Sequence, residues 1–404
     1  MAIPYRWIIV AILWSSHVIY FLNYMTIGTL SPFIQPEFQL SVTQIGLLCS
    51  AVTIGSLASN IPAGMLSDAF GAKWIMVFGL VLIGCSELVI CFLDSYVWIF
   101  LLLIFVGMGI GCNQTPASKA IIMWFSLKGR ATAMGIKQTG VTIGGVAASF
   151  LLPLIALHCG SWRYSFKVAG IAALLCAVLI LFLYVEPPRQ PSDDNSWNVV
   201  SWKNNLLTLF KERDFIFIGL TGIFLMLTQF SFLAHFVLYA TKVLGLPAKK
   251  AGAILGVAFF TGAIGRVAWS VSSDYLFGTG RRIVLTIIGA AGGVIAIAFI
   301  PLSGESSLLT IYALAALFGF TGLAWNAVYL TRVGEFPGRA LAGVATGVNF
   351  VVVNIGAIAG PPLFGYFVDF TGGYRTSWFF TGMCLVMVAF LSEIQKKERM
   401  ETES

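Results

Sequence analysis

The sequence predicts an all-helical membrane protein with twelve transmembrane helices, arranged as two repeats of six. Of its 404 residues, 58% are hydrophobic and only 10% are charged, whereas a water-soluble domain has roughly a quarter charged residues. The mean hydropathy is +0.90, and apolar stretches recur from Trp7 to Ser392. Each stretch has about 20 residues, which is enough to cross a hydrocarbon core of about 30 Å as a helix. Lipid is therefore the solvent for most of this chain.

Twelve apolar stretches are predicted to span the membrane, with short polar connections between them. The first contains polar residues, among them Asn23, and has no small-residue cleavage site after a short apolar core. We therefore expect it to remain in the mature protein as a helix. The predicted spans are 8–30, 45–67, 74–93, 97–122, 131–156, 166–186, 215–240, 250–272, 283–301, 307–331, 341–367 and 375–393.

The distribution of Lys and Arg among the loops predicts the orientation of these helices. One set of loops, which includes Lys73, Arg130 and Arg282, is richer in basic residues than the opposite set, which includes Arg163 and Lys242. Because basic loops are retained in the cytoplasm, both termini are predicted to be cytoplasmic in a multi-pass protein of the inner membrane. The net charge of +7 is mostly explained by this topology, so no nucleic-acid partner is expected.

One long polar segment interrupts the hydrophobic pattern near the middle of the chain, where Pro187, Pro188 and Pro191 precede two aspartates. This composition is typical of a loop. We therefore expect four parts: an N-terminal six-helix bundle at 1–186, a cytoplasmic linker at 187–213, a C-terminal six-helix bundle at 214–393, and a cytoplasmic tail at 394–404.

Short motifs recur between the two predicted halves. Ser67-Asp68, which is followed by Lys73, returns as Ser273-Asp274, which is followed by Arg281 and Arg282. Self-similarity of this kind is the signature of a duplicated fold. A further pair in nearly the same register is Gly129-Arg130-Ala131 and Gly338-Arg339-Ala340.

The loop Gly64-Met65-Leu66-Ser67-Asp68-Ala69-Phe70-Gly71-Ala72-Lys73 resembles the signature between helices two and three of the major facilitator superfamily. The resemblance covers essentially the whole chain and implies a secondary transporter that works by alternating access, with a central site between its halves. It also implies a cytoplasmic latch, in which Ala69 and Ala72 replace two basic residues of the family pattern and weaken the first copy. The residues that the resemblance places in the latch are Gly64, Asp68, Lys73, Asp274, Arg281 and Arg282.

Three basic residues lie inside predicted helices, namely Lys119, Lys137 and Arg266, together with one acidic residue, Glu87. An ionisable group in mid-membrane costs about 2.5–3.5 kcal/mol on insertion scales, so such residues indicate function. A basic cavity is complementary to an anion, and the planar Arg fork matches carboxylate, phosphate or sulfonate groups. Arg266 also resembles the helix-eight arginine of monocarboxylate and oxalate–formate carriers, which implies that it contacts a substrate carboxylate.

Each of these cations has a structural alternative. Lys119 could extend to the cytoplasmic interface, and Lys137 could pair with a backbone carbonyl or with Glu87. Arg266 could serve packing alone, since a Gly-Arg pair at this position resembles a widespread superfamily pattern.

Polar and aromatic residues at helical spacing are predicted to line the same cavity. Any one of them could equally join two helices by a hydrogen bond. These candidates are Tyr20, Asn23 and Tyr24 on the first helix, Gln138 on the fifth, Gln229 and His235 on the seventh, Asn326 and Tyr329 on the tenth, and Asn349 on the eleventh.

Coupling to protons requires a titrating group, and the candidates are His17, His235 and Glu87. Proton symport of a small organic anion, most simply a carboxylate, is the leading interpretation. Exchange of phosphorylated or inorganic anions needs no proton site and stays open.

Other classes of protein are less consistent with the sequence. The run Gly140-Val141-Thr142-Ile143-Gly144-Gly145 lacks the proline of drug/proton antiporters, which disfavours export of drugs or metabolites. A membrane sensor is disfavoured because such a protein normally carries a large soluble appendage. A membrane enzyme is disfavoured because it would need paired catalytic groups on adjacent helices. We expect a monomer without cofactor or metal.

Overall fold

The computed structural model describes residues 5–125, 127–186, 209, 211–277, 280–336 and 342–395. Within these ranges it is all-helical and without strands. The helices are α1 Tyr5–Tyr24, α2 Thr26–Phe38, α3 Val42–Phe70, α4 Ala72–Ile90, α5 Tyr96–Trp124, α6 Leu127–Cys159, α7 Trp162–Leu183, α8 Arg213–Lys242, α9 Ala248–Val271 with the π-helix Ser272–Leu276 after it, α10 Arg281–Ile297, α11 Leu308–Gly322, α12 Asn326–Glu335, α13 Ala342–Thr371 and α14 Arg375–Ile394.

The prediction of an all-helical, multi-pass fold is confirmed. Among the described residues, eleven helical segments are long and apolar enough to cross a membrane. The predicted ninth span corresponds to α10, which has 17 residues and is followed by turns through Pro301. Most of the predicted linker, most of the tail and the repeated triplet Gly338-Arg339-Ala340 lie outside the described residues. The orientation of the termini stays a prediction.

Two predicted spans are interrupted, contrary to the expectation of continuous helices. The first consists of α1 and α2, joined at Met25, which has φ −88° and ψ 0° instead of the α-helical values near −63° and −42°. The Met25 amide N–H is shared between the carbonyl groups of Phe21 and Leu22, at 3.1 and 3.2 Å. The tenth span consists of α11 and α12, separated by turn residues 323–325.

The described residues fall into two units. One is drawn from Met1–Pro191 and Leu233–Gly256, the other from Ser192–Phe232 and Val257–Ser404. Residues 233–256 thus group with the first unit, whereas the sequence suggested a C-terminal bundle at 214–393. The six-helix halves remain a prediction.

Glycines allow the helices of each unit to approach closely. In the first unit a Cβ atom at Gly55 of α3 would lie 1.9 Å from the Ile104 carbonyl oxygen of α5. In the second unit a Cβ at Gly319 of α11 would lie 2.2 Å from the Ala258 carbonyl oxygen of α9. Small residues at such crossings are typical of membrane proteins, where close backbone packing replaces the hydrophobic effect between helices.

The core of the second unit is aromatic. Phe232 stacks on Phe318 and Phe299 stacks on Trp378, each pair with ring centroids 4.4 Å apart. The Phe364 and Trp378 rings are in T-shaped contact, with centroids 5.5 Å apart. Offset stacks and edge contacts are the arrangements favoured by the quadrupoles of the rings, so this cluster fixes α8, α11, α13, α14 and the turn after α10 relative to one another.

Candidate functional site

The break between α11 and α12 is held by side chains of α9. The Arg266 Nε–H donates to the Leu323 carbonyl oxygen at 3.3 Å, and the Trp269 indole N–H donates to the Phe320 carbonyl oxygen at 2.7 Å. A helix end inside a membrane leaves carbonyl groups without an intrahelical partner, and these must be satisfied by the protein. Arg266 and Trp269 provide two of those hydrogen bonds.

Arg266 keeps most of its hydrogen-bonding capacity after this contact. A guanidinium group has five N–H donors, and only Nε–H is engaged by Leu323. The side chain is half-buried, and within the described ranges no carboxylate lies within ion-pair distance of it. The two Nη groups therefore present a charged edge that suits a bidentate anion.

Four other candidates of the second unit form two hydrogen-bonded pairs. The Tyr329 hydroxyl of α12 lies 2.7 Å from Asn349 Oδ1 of α13 and 2.9 Å from the Ile218 carbonyl oxygen of α8. Both side chains are 1% exposed, so this pair joins three helices in the interior. Asn326 Nδ2 donates to Gln229 Oε1 at 3.4 Å, and both of these residues are half-buried. The second pair is thus the more accessible one.

Lys137 lies on α6 and is 3% exposed. Its ammonium group donates to the Ser118 hydroxyl of α5 at 2.7 Å. The alternatives of pairing with Glu87 or with a backbone carbonyl are not realised in this structure, and no carboxylate in the described part of the chain comes within ion-pair distance. A buried ammonium that has only a hydroxyl partner is costly, and an incoming anion would offset that cost.

The candidates on α1 are mostly buried. His17 and Asn23 are fully buried and Tyr20 is 4% exposed, with the His17 and Tyr20 rings in edge contact at 4.8 Å. The Tyr24 hydroxyl and the Thr53 hydroxyl of α3 are 2.7 Å apart. Helix α6 reaches α1 through the bond from the Trp14 indole N–H to the Thr139 hydroxyl, 3.0 Å long.

The remaining candidates have different surroundings. Gln138 is exposed on α6. His235, on the part of α8 that belongs to the first unit, is fully buried. Glu87 is also fully buried, on α4, with the Thr26 hydroxyl 3.4 Å from its Oε1. Within the described residues, no group of three or more His, Cys, Asp or Glu residues is placed to hold a metal ion.

Asp68, a residue predicted for the first copy of the latch, pairs with Lys119, and its role in a latch stays a prediction. The Lys119 ammonium contacts the Asp68 carboxylate and donates to the Ser67 carbonyl oxygen at 3.2 Å. Gly64 faces α5, since a Cβ there would lie 3.3 Å from the methyl group of Thr115. Lys119, predicted as a cavity residue, is thus engaged by Asp68 in this structure.

Lys73 contributes to the same turn through its backbone. Its N–H donates to Glu186 Oε1 at 2.6 Å, which caps the first turn of α4 with a carboxylate. Gly71 precedes this turn with φ +88°, a conformation that favours glycine. Glu186 follows α7, so it joins the end of that helix to the turn between α3 and α4.

The residues predicted for the second copy of the latch form a denser network of contacts. The Arg281 guanidinium pairs with Asp274, donates to the Ser273 hydroxyl at 2.9 Å, and pairs with Glu335 Oε1 at 3.2 Å. Arg282 donates to the Glu393 carbonyl oxygen at 2.9 Å. These contacts join the start of α10 to the ends of α9, α12 and α14.

Several residues of these sites were not singled out from the sequence. Ser118, Trp269, Glu186 and Glu335 belong to no recognisable motif. Glu335 precedes a predicted cytoplasmic loop and repeats no acidic residue of the first half, so internal symmetry gave no signal for it. Their partners lie on other helices, so these contacts are apparent only in the folded structure.

A multi-pass helical protein with charged residues inside its units and ion pairs at its turns is the arrangement expected of a membrane transporter. The sequence matches the Major Facilitator Superfamily over residues 13–361. The chain belongs to that superfamily, which confirms the resemblance seen in the sequence and identifies a transporter and not an enzyme.

Several curated relatives are named as transporters of organic anions. The chain is 26% identical to the hexuronate transporter of Bacillus subtilis (strain 168), covering 93% of this chain and 90% of that protein. It is 22% identical to the probable galactarate/D-glucarate transporter GarP of Escherichia coli (strain K12), covering 98% and 96%. It is 23% identical to the probable sulfoacetate transporter SauU of Cupriavidus necator, covering 96% and 93%.

Solved structures of the same fold cover nearly the whole chain. A bacterial homologue of the human lysosomal transporter Spinster, in an inward-facing and unoccupied conformation, aligns with TM-score 0.81 at 18% identity, covering 97% of each chain. The nucleoside transporter NupG aligns with TM-score 0.83 at 15% identity, covering 96% of this chain and 100% of that one. At these identities the likeness establishes the fold.

Proposed function

We propose that this protein is a secondary active transporter that moves a small organic anion with a carboxylate group, by alternating access and together with protons. The observation that carries the proposal is that two cations, Arg266 and Lys137, each lack a carboxylate partner among the described residues. A cation kept in a membrane protein without an internal counter-charge is most simply explained by a ligand that brings one.

Arg266 is the stronger of the two contacts. Its Nε is fixed on the Leu323 carbonyl oxygen, so the guanidinium plane is oriented before the anion arrives. Preorganisation of this kind lowers the ordering cost of binding. Lys137, held by Ser118, supplies a compact second charge for the same class of ligand.

The relatives support an organic anion as the substrate. Hexuronates, galactarate and glucarate are carboxylates, and sulfoacetate carries a carboxylate together with a sulfonate. We propose carboxylate recognition because it is common to all of these names, with the residues Tyr20, Asn23, Gln138 and His235 adjusting selectivity. The working arrangement is a monomer in the inner membrane, with two six-helix halves at 1–186 and 214–393, both termini in the cytoplasm, and the linker and tail on that side.

The direct test is thermal unfolding of the purified protein with D-glucuronate, galactarate, sulfoacetate, glucose and a cationic drug. A ligand that binds the folded state raises the unfolding temperature with concentration. We expect stabilisation by the carboxylates alone, lost in Arg266→Ala and in Lys137→Ala. The matched control is Lys249→Ala, which removes an exposed cation. Stabilisation by glucose or the drug, without any carboxylate effect, would contradict the proposal.

A further inference from the structure

Glu87 has almost no hydrogen-bonding partners for a buried carboxyl group. It lies on α4 and is fully buried. In the described part of the chain, the Thr26 hydroxyl is the one polar group within hydrogen-bond distance of the carboxyl, at 3.4 Å from Oε1. Oε2 has no protein partner, and Glu87 is in none of the ion pairs found among those residues.

The position of the Thr26 hydroxyl determines which protonation state of Glu87 fits. A hydroxyl group has one proton to donate, and Thr26 Oγ1 lies closer to the Asn23 carbonyl oxygen, at 2.9 Å, than to Glu87 Oε1. When the Thr26 hydroxyl donates its hydrogen bond to the Asn23 carbonyl oxygen, an ionised Glu87 has no hydrogen-bond donor. Burial of an ionised carboxyl without a donor is strongly disfavoured.

A protonated Glu87 satisfies the whole group. Its carboxyl O–H on Oε1 donates to Thr26 Oγ1, and the Thr26 O–H donates to the Asn23 carbonyl oxygen. Each donor then has an acceptor, and the oxygen without a partner is an uncharged carbonyl oxygen. Hydrogen-bond geometry therefore favours the neutral acid at this position.

The charged groups around Glu87 lie towards one end of α4. One turn further along, the Cys91 thiol donates to the Glu87 carbonyl oxygen at 3.3 Å. Cys91 lines a cavity of about 180 Å³ with Arg163 and Lys167 of α7, and Arg163 is already paired with Glu37 of α2 and Asp94. From α7, Gly170 packs beside the Glu87 Cβ position. On α5 the titratable neighbour of α4 is Cys112, which faces Gly79 two turns away.

The Thr26–Glu87 contact lies at the interruption of the first membrane span. Thr26 is the first residue of α2 and directly follows Met25, where the helical hydrogen bonding changes. A change in the angle between α1 and α2 would therefore move the Thr26 hydroxyl relative to α4. If the Thr26 hydroxyl moved away from Glu87 and water entered, Glu87 would be able to release its proton.

We propose that Glu87 is a proton-binding site and that Thr26, at the α1–α2 break, controls its release; that the proton travels with the anion rests on the proposed function. Glu87 holds the proton on Oε1 in the conformation described, gives it to water when the site opens on one side of the membrane, and takes one back from water on the other. No other reactant is required.

The protonation state can be tested without a substrate. The infrared spectrum of purified wild type, after subtraction of the spectrum of Glu87→Gln, should show the carbonyl band of a protonated carboxylic acid at neutral pH. The band should shift in heavy water. Thr26→Val, which removes only the hydroxyl, should keep this band and move its frequency as the hydrogen bond is lost. The matched control, Glu305→Gln in an exposed turn, should not alter it. Absence of the band in wild type overturns the site.

Coupling is tested in proteoliposomes with D-glucuronate as the probe. Glu87→Gln imitates the protonated acid, so it should retain glucuronate counterflow and lose accumulation driven by a proton gradient by at least tenfold. Accumulation equal to that of wild type would overturn the coupling. A wild-type protein that neither binds nor moves any carboxylate would overturn the proposed function instead, and the infrared band would then decide the protonation of Glu87 by itself.

Discussion

The Lys119 ammonium pairs with the Asp68 carboxylate across α5 and α3, whereas the equivalent aspartate of the second unit, Asp274, is held by Arg281 from the start of α10. The two copies of the repeated motif thus draw their cation from different helices. They also differ in burial, since the Lys119 and Asp68 side chains are 31% and 71% exposed and that of Arg281 is 11% exposed.

The exposed pair should matter for transport more than for stability. Exposed ion pairs contribute about 0–1 kcal/mol, so we expect Lys119→Gln and Asp68→Asn to change the free energy of unfolding by no more than about 1 kcal/mol. Uptake should slow several-fold because the turn loses its latch. The exchanged pair, Lys119→Asp with Asp68→Lys, should recover much of the rate. Initial uptake rates and thermal unfolding check this prediction, and no recovery in the exchanged pair would contradict it.

Arg266 and Trp269 allow ligand binding to be separated from structural support. Both donate to carbonyl groups beside the α11–α12 break, but only Arg266 is charged. Trp269→Phe should lower the free energy of unfolding by about 1 kcal/mol, the usual worth of a hydrogen bond, and leave carboxylate affinity within about twofold, since the charge remains. Arg266→Lys should lower affinity at least tenfold because an ammonium cannot form the bidentate contact. Equal losses of affinity in both variants would indicate a purely structural role for Arg266.

Tyr329→Phe tests the buried pair of the second unit. The substitution removes the hydroxyl that Asn349 and the Ile218 carbonyl oxygen share, leaving polar groups without a donor in the interior. We expect a loss of about 1–3 kcal/mol in the free energy of unfolding. Asn326→Ala, in the half-buried pair with the 3.4 Å contact, should cost less than about 1 kcal/mol and change the order of substrate preference. Chemical or thermal unfolding in detergent measures both.

Close packing of α6 against α1 predicts different results for two glycines of one helix. A Cβ atom at Gly140 would lie 2.7 Å from the Trp14 carbonyl oxygen and 2.9 Å from the His17 Cβ, whereas a Cβ at Gly135 would have nothing within 4 Å. Gly140→Ala should therefore destabilise by about 1–3 kcal/mol through overpacking. Gly135→Ala should be neutral or stabilising by up to about 1 kcal/mol, because alanine is the better helix former. Two equal unfolding temperatures would refute the packing argument.

The approximate positions of the membrane-spanning segments could be predicted from the sequence because their signal is local. Each span is a long apolar stretch, and helix ends such as Phe70 and Trp124 lie within a few residues of the predicted ones. The superfamily could also be recognised, since its motif around Asp68 is contiguous in the sequence.

The interruptions and the ion-pair partners could not be predicted in the same way. The turn at residues 323–325 depends on hydrogen bonds from Arg266 and Trp269, more than fifty positions away. Likewise, Lys119 lies beside Asp68 because α3 and α5 pack closely together at Gly55. Hydropathy treats every charged residue in a span alike, and the choice between ligand contact and helix contact depends on neighbours from other helices.

The segment from Arg266 to Asp274 and the short helix α12 are tied together at two places. Arg266 holds Leu323, just before α12, and Arg281 joins Asp274 to Glu335, the last residue of α12. Because the anion is proposed to bind the two Nη groups of Arg266, the contact from Nε to Leu323 would stay in place, and both ties would remain intact. Helix α12, which Tyr329 and Asn326 also join to α13 and α8, would then keep its place beside α9, so that a bound ligand and the helices around Arg266 would move as one body inside a single unit.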